Sequence, residues 1–271
     1  MTQHIERVVL PLDAAADSAT AIDTAARLAS RWHVPLHAVF VEDEELLHLA
    51  GLPFARQVSL LAGGEALTRQ HVEDHLRAAA ERARGELAAA AARHRIDFSF
   101  AVVRGPLAGA ELGGGEHDFV VAGAATRPIG QHFRVPSRGW YWRGIVHALL
   151  LSRRDWHRGG SVLTVLRRRG PGAERMLDLS AQIAGFGSGA LDVLAAPDTA
   201  GAADFGGWVR GVLASYELTI ATEQAPIDAA ALSRRLAAAD CRLVVLDEAH
   251  DDLRDWLAQA ECDVLVVRAR R

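Results

Sequence analysis

Short runs of consecutive apolar residues alternate along the chain with longer segments in which apolar residues recur at helical spacing. Continuous apolar runs are typical of parallel strands that helices cover on both faces, so the pattern predicts an α/β protein. The first part predicts strands 7–13, 35–41, 97–103, 118–123 and 146–152 and helices 17–32, 68–94 and 106–112. The second part predicts strands 161–167, 190–196, 217–223, 241–247 and 262–268 and helices 173–185, 204–215, 228–239 and 250–260.

The second series of elements repeats the first, and a repeat of this kind determines the architecture. It predicts two tandem five-stranded parallel sheets, each covered by helices, in domains 1–152 and 160–271. The short charged segment between them ends in Gly159-Gly160. The first copy also carries an apolar excursion, 42–64, that the second lacks. Insertions of this kind serve as lids or contact surfaces, and we expect a contact with the other domain or with a partner.

Composition excludes several kinds of chemistry. The 271 residues include no lysine, so arginine supplies all 30 basic side chains. This excludes a Walker A phosphate loop and a Schiff-base mechanism, because both need a lysine amine. The net charge of −4 gives no reason to expect nucleic-acid binding. Cys241 and Cys262 each stand just before a predicted strand, so we expect buried thiols and not a redox pair.

No segment predicts a membrane protein or a catalytic centre. No apolar stretch approaches the roughly 20 residues that span a bilayer, and the first residues do not resemble a signal peptide, so we expect a cytoplasmic protein. No nucleophile elbow is present, so no enzyme is expected. His71 and His75 have metal-ligand spacing, but a solvated helix face explains them better, and we predict no metal site. Trp140, Tyr141 and Trp142 could stack a ligand ring, although packing between the domains is the favoured interpretation.

The chain resembles the universal stress protein family in its tandem, two-domain form. The resemblance rests on residues 7–13, on the helix over 21–29, on 35–41 and on the closing run 262–268. It implies a five-stranded, Rossmann-like fold of the adenine-nucleotide α-hydrolase type, with units that pair through their last strands. It also implies a bacterial stress-response protein.

The resemblance also implies where a nucleotide would bind in the first domain. ATP-binding relatives carry a loop Gly-x2-Gly-x9-Gly-Ser/Thr after the fourth strand. Here Gly123 and Ser137 match that loop, whereas Thr126 and Pro136 replace the other two glycines. Proline has no N–H to offer a phosphate. The residues that correspond to those around the adenine ring are Pro11, Asp13 and Val41, although a loop-capping Asp13 and a core Val41 would explain them equally well.

The second domain diverges further from the nucleotide-binding pattern. Arg167 stands near the position that matches Asp13, and the acidic run 247–252 follows the fourth strand. Carboxylates there would repel a triphosphate, so ATP is not expected in this half. Arg168, Arg169 and Arg175 form a basic patch that is too short to predict nucleic-acid binding.

These observations predict a non-catalytic stress-response protein whose two domains form an intramolecular pseudo-dimer; a homodimer is left open. Nucleotide binding is weak or lost, and ATP or AMP would occupy only the first domain. One alternative is an ATP-binding protein with slow hydrolysis. The other is a pure protein-interaction module that uses 42–64.

Overall fold

A computed structural model gives the structure of residues 4–14, 18–42, 44–50, 56–57, 65–66, 68–105, 117–123, 148–152, 159–197, 204–238, 240–248 and 262–268. The strands are β1 Arg7–Leu12, β2 Leu36–Glu42, β3 Arg56–Gln57, β4 Glu65–Ala66, β5 Phe98–Arg104, β6 Asp118–Gly123, β7 Ala148–Ser152, β8 Ser161–Leu166, β9 Ala190–Ala195, β10 Thr219–Gln224, β11 Cys241–Asp247 and β12 Asp263–Val267. The helices are α1 Ala19–Trp32, α2 Glu44–Ala50, α3 Arg69–His94, α4 Pro171–Gly185, α5 Phe205–Val212 and α6 Ala229–Ala238.

Ten of the strands form one continuous sheet in the order β10-β9-β8-β11-β12-β7-β6-β1-β2-β5. Each half of the sheet has five parallel strands, as the repeat predicts, and the first strand of each half lies in the middle. The two halves meet where β7 and β12 pair antiparallel, from Leu151 opposite Val264 to Ala148 opposite Val267. The α/β class and the two five-stranded units are therefore confirmed, and the units share one sheet.

The core lies on both faces of this sheet, because alternate strand residues point to opposite sides. On β1, Val8 and Leu10 join a large cluster that also contains apolar residues of α1, α3, α4 and α5. Val9 joins a second cluster on the other face, where Leu232 of α6 is fully buried. The first cluster runs without interruption across both halves of the sheet. The two halves therefore bury part of their apolar surface together.

A hydrogen-bonded contact between α1 and α4 reinforces this shared core. The indole Nε1 of Trp32 donates to Oε1 of Gln182 at 2.7 Å. The Trp32 ring lies 4.8 Å from the ring of Phe119 in its own half and 5.7 Å from that of Phe186 in the other. The Gln182 amide in turn donates to Asp178 at 3.0 Å. A polar chain therefore begins on the first half and continues into the second.

Helix ends follow local chemistry. The Thr68 hydroxyl accepts the backbone N–H of His71 at 3.2 Å, which caps the start of α3. That helix ends at Arg95, whose φ of 56° is left-handed. The second half's first helix begins at Pro171, two residues before the predicted start, because proline is favoured at the first helical position. The predicted helices 106–112 and 250–260 lie outside the described residues.

Part of the apolar excursion is ordered against its own half. Helix α2, which the sequence interpretation did not include, buries Leu47 and Ala50 against Val72 and Leu76 of α3. These apolar residues therefore cover the first half's own long helix. Residues 51–55 and 58–64 lie outside the described part of the chain, so the expected contact with a partner stays a prediction.

Candidate functional site

Each half of the sheet has one point where the strand order reverses, between β1 and β6 in the first half and between β8 and β11 in the second. Ligands of open parallel sheets bind beside the carboxyl ends of strands at such a point. The register between β1 and β6 ends at Val9 and Val120, and that between β8 and β11 ends at Thr164 and Val245. The last residues of these strands are therefore unpaired with each other, which opens a crevice.

In the first half, four of the five predicted site residues lie at the carboxyl edge of the sheet. Pro11 is near the end of β1, opposite Val39 of β2, and Asp13 follows that strand. Val41 is 1% exposed and packs with Val39 and Val103, so its side chain is part of the core. Gly123 ends β6, opposite Ser152 of β7. The position of a nucleotide among these residues stays a prediction.

The fifth residue, Ser137, lies outside the described residues, and so do the replaced glycine positions Thr126 and Pro136 and the aromatic run 140–142. At the opposite, amino edge, Arg7 and Asp118 join β1 to β6. The guanidinium donates from Nε to Oδ1 at 3.0 Å and from Nη2 to Oδ2 at 2.5 Å. This pair holds the amino ends of β1 and β6 together, whereas the carboxyl ends of these two strands are not paired with each other.

In the second half, the crevice is a cleft of about 330 Å³. It is lined by residues 166–173, by Met176 of α4 and by Asp247 at the end of β11. Three of these residues are the consecutive arginines 167–169, of which Arg167 and Arg168 are exposed. One carboxylate therefore shares the lining with three guanidinium groups, and the cleft has an excess of positive charge.

The start of α4 adds unpaired backbone donors to this cleft. Gly170 has a φ of 143°, a conformation that favours glycine, and its position before the helix offers no side-chain cap. Pro171 has no N–H, and the N–H of Glu174 donates to the Gly170 carbonyl oxygen at 3.0 Å. No described acceptor takes the N–H groups of Gly172 and Ala173. Such free N–H groups at a helix start favour anions.

Arg169 is the most unusual side chain of the cleft. Its guanidinium carbon lies 5.7 Å from the ring centre of Phe205 and 5.3 Å from that of Trp208, both on α5. These cation–π contacts hold the side chain against the helix. Its Nε and Nη2 atoms are buried from solvent and have no hydrogen-bond partner among the described residues. A buried donor without an acceptor costs about 1–3 kcal/mol, but both atoms are closed to a water-sized group, so an acceptor could reach them only after the side chain moves.

The acidic run after β11 is only partly described. Asp247 lines the cleft, and Glu248 is held by Arg268, with Oε2 and Nε 3.3 Å apart. The rest of the run lies in 249–252, outside the described residues. The predicted repulsion of a triphosphate by the whole run is therefore untested.

Other candidates from the sequence lie away from both crevices. His71 and His75 are both exposed on α3, as a solvated helix face predicts. Within the described ranges, no group of three or more His, Cys, Asp or Glu side chains could hold a metal ion. Cys241 and Cys262 are buried free thiols, as predicted. A hydrogen bond with Cys262 and burial raise the pKa of the Cys241 thiol, which favours its protonated form. None of the helices that the structure describes is long and apolar enough to span a membrane.

Sequence reasoning missed Arg169. It treated the arginine run after β8 as the loss of an aspartate and as a basic patch too short for nucleic acid. The available signal was its position between a buried strand and the Gly170-Pro171-Gly172 start of a helix. A basic run at that position of a parallel sheet is a candidate anion site.

Comparison of the sequence with protein-family models and with curated proteins gives no significant match. Solved structures do resemble the fold. A universal stress protein from Archaeoglobus fulgidus superposes with a TM-score of 0.63 at 13% identity, over 97% of this chain and 96% of the other. A putative universal stress protein from Pseudomonas aeruginosa gives a TM-score of 0.60 at 14% identity, over 98% and 94%. A protein of unknown function from the same species gives 0.59 at 14% identity, over 98% and 93%. The chain therefore has the fold of the universal stress proteins, and the likeness extends over both halves.

Proposed function

We propose that this chain is a non-catalytic regulatory protein of the stress-response type, in which two domains, 1–152 and 160–271, act as an intramolecular pseudo-dimer in the bacterial cytoplasm. The observation that supports it most directly is the antiparallel pairing of β7 with β12. Through this pairing the last strand of each half has its partner within the same chain. The shared core and the bond from Trp32 to Gln182 support the same arrangement.

The pseudo-dimer arrangement predicts the mass of the protein in solution. Since the last strands already pair inside the chain, we expect native mass spectrometry to show a single chain of 29.1 kDa. A stable species of twice that mass would show that another surface also pairs, with the excursion 42–64 as the first candidate. Deletion of that segment would then return the protein to a single chain.

For nucleotides we propose weak binding at the first half's carboxyl edge, without turnover. Asp13 follows β1 and Gly123 ends the neighbouring β6, which supports this placement, whereas the glycine loop has lost two of its positions. The expected ligand is AMP or ATP, held by the strand ends with little help from the phosphate loop.

Calorimetric titration with ATP, ADP and AMP tests this placement, together with a phosphate-release assay. We expect no release above the buffer rate and weaker binding in Asp13→Asn than in the wild type. Asp97→Asn is the matched control, because Asp97 is exposed and precedes β5 at the amino edge. Micromolar binding that is unchanged in Asp13→Asn would contradict the placement. Hydrolysis that is lost in Ser137→Ala would contradict the non-catalytic function.

A further inference from the structure

We propose that the outer edge of β5 pairs with the same edge of a second copy of this chain, in a weak antiparallel contact that extends the sheet. The proposed function assigns no contact to this edge, so the inference goes beyond it. β5, Phe98–Arg104, is the strand at the first half's end of the large sheet. Within the described part of the chain, β2 is the one strand that pairs with it.

The backbone of β5 offers hydrogen-bonding groups to a further strand. The Asp97 carbonyl accepts the N–H of Leu36 at 3.0 Å, and the N–H of Gly105 donates to the Glu42 carbonyl at 3.1 Å, so the odd-numbered residues bond to β2. The backbone groups of the even-numbered residues therefore point away from the sheet. Groups that recur at every second residue of an extended strand match the backbone of another extended strand. No described residue bonds to the backbone N–H and C=O groups of Phe98, Phe100, Val102 and Arg104 on this side.

The side chains of β5 are apolar where an exposed edge is normally protected by charge. Phe98 and Val102 are 37% and 50% exposed, and they are the large apolar side chains that the described residues expose. Both lie on the face of the sheet where Phe100 packs against the core, since alternate residues share a face. At the other end of the sheet, β10 exposes polar side chains, among them Glu223 and Gln224. An edge with no charge from Phe98 to Val102 favours a partner strand.

An antiparallel contact centred on Phe100 makes the two edges complementary to each other. Phe98 of one copy then lies opposite Val102 of the other, and the two Phe100 residues face each other. Each pair of opposite residues exchanges two backbone hydrogen bonds, and apolar side chains meet across the strands. Above the centre, the guanidinium carbon of Arg84 lies 6.0 Å from the Phe100 ring, and exposed Glu81 precedes it by one turn of α3. Each copy therefore carries both signs of charge near the two-fold axis.

The charges at the two ends of β5 favour an antiparallel second copy. Exposed Arg95 and Asp97 precede the strand. Arg104 ends the strand and donates to Glu42 at 2.9 Å, and this bond, with the charge of nearby Glu44, raises the pKa of Arg104. The antiparallel contact brings Asp97 of one copy towards Arg104 of the other, and Arg95 towards the glutamates. A parallel contact would instead bring Arg104 beside its own copy, where like charges repel.

The contact is small, so the dimer is weak. β5 has seven residues, whereas a stable interface takes roughly 20–30 residues from each partner. We therefore expect a dissociation constant on the order of 100 µM. At the few micromolar used in native mass spectrometry, the single chain of the proposed function remains the expected species.

Sedimentation equilibrium of the full chain, from about 5 to about 500 µM, tests the contact. We expect an equilibrium between one and two copies. Val102→Lys puts a charge opposite Phe98 and should weaken the dimer about tenfold or more, and the substituted position is half exposed, so the fold is kept. Gln224→Lys is the matched control, because it adds the same charge at an exposed position of the other edge strand and should leave the equilibrium unchanged.

Hydrogen exchange of the wild type locates the contact without a substitution. The amides of Phe98, Phe100 and Val102 should exchange more slowly as the protein concentration rises, whereas those of Ser99 and Ala101, which bond to β2, should not change. A chain that stays single up to the highest concentration would overturn the proposal. So would a dimer that is equally strong in Val102→Lys, an assembly of more than two copies, or protection that appears only outside β5. None of these outcomes affects the pairing of β7 with β12, so the proposed function is tested separately.

Discussion

Replacing Trp32 with phenylalanine removes a hydrogen bond between the two halves and leaves most of the ring in place. The bond joins indole Nε1 to Oε1 of Gln182 at 2.7 Å, on partly buried side chains. A hydrogen bond of this kind contributes about 1 kcal/mol net, and the smaller ring buries less apolar area, which adds roughly another 1 kcal/mol. We therefore expect Trp32→Phe to lower the free energy of unfolding by about 2 kcal/mol. That is a sizeable fraction of the roughly 5–15 kcal/mol available to a folded protein.

A double-mutant cycle separates the bond from the other losses. Gln182→Met removes the acceptor, but it also removes the bond from Nε2 to Asp178 at 3.0 Å, so its own effect is not a measure of the contact. The coupling energy between Trp32→Phe and Gln182→Met should be about 1 kcal/mol, because the effects of the two substitutions on stability are additive except for the hydrogen bond that both remove. Gln70→Met is the matched control, since Gln70 is exposed on α3, and it should change stability by less than about 0.5 kcal/mol.

The assay is urea unfolding, followed by circular dichroism and by tryptophan fluorescence. Coincident single transitions are expected, because one apolar cluster runs through both halves. A coupling energy below about 0.3 kcal/mol would show that the bond does not join the halves energetically. Two separate transitions, with Trp32→Phe shifting only one, would refute the argument that the halves unfold as a unit.

Two further predictions concern ionisable groups. Burial raises the pKa of Asp23, but hydrogen bonds from Arg27 and His94 outweigh burial and leave the pKa below its ordinary value. The stabilising effect of the ionised Asp23 is therefore present above the unfolded pKa of about 4 and is lost as the pH falls through the folded pKa. The difference in unfolding free energy between the wild type and Asp23→Asn should therefore shrink as the pH falls below ~4, and a difference that is unchanged from pH ~5 down to pH ~3 in urea titrations would contradict this. Cys241 and Cys262 should not react with a thiol reagent in the native protein and should both react in urea, because both are buried and burial helps to raise the pKa of Cys241. Rapid native labelling would show that the amino ends of β11 and β12 open.

The inner strands of the large sheet could be predicted from the sequence because parallel strands with two covered faces are almost wholly apolar. The bounds of β6 and β11 agree with the predicted ones to the residue, 118–123 and 241–247. Helix boundaries were less accurate where glycine interrupts the pattern. Helix α5 ends at Val212 and not at residue 215, in a segment that contains Gly206, Gly207 and Gly211. Local periodicity determines the elements but not where a helix with several glycines ends.

The candidate site was less predictable, because it depends on contacts distant in sequence. Nothing in the pattern around Arg169 indicates that Phe205 and Trp208, more than thirty residues later, hold its guanidinium. Nor does it indicate that Nε and Nη2 remain without acceptors. The family resemblance predicted a site in the first half, where the residues at the strand ends match those of nucleotide-binding relatives. It does not predict a site at an arginine run where relatives carry an acid.

The antiparallel junction also determines how the two halves can cooperate. Within each half all strands are parallel, but β7 and β12 run in opposite directions, so the carboxyl ends of the two halves lie at opposite edges of the sheet. The crevice beside Asp13 and the cleft beside Arg169 therefore open at opposite edges. Residues of one site therefore cannot contact a ligand in the other, and the second half cannot supply residues that replace the phosphate loop lost from the first. Any coupling between the two sites must pass through the paired strands, the shared apolar core and the contact of Trp32 with Gln182. The same substitution that weakens the contact between the halves should then also weaken any effect of a ligand in the second half on nucleotide affinity in the first.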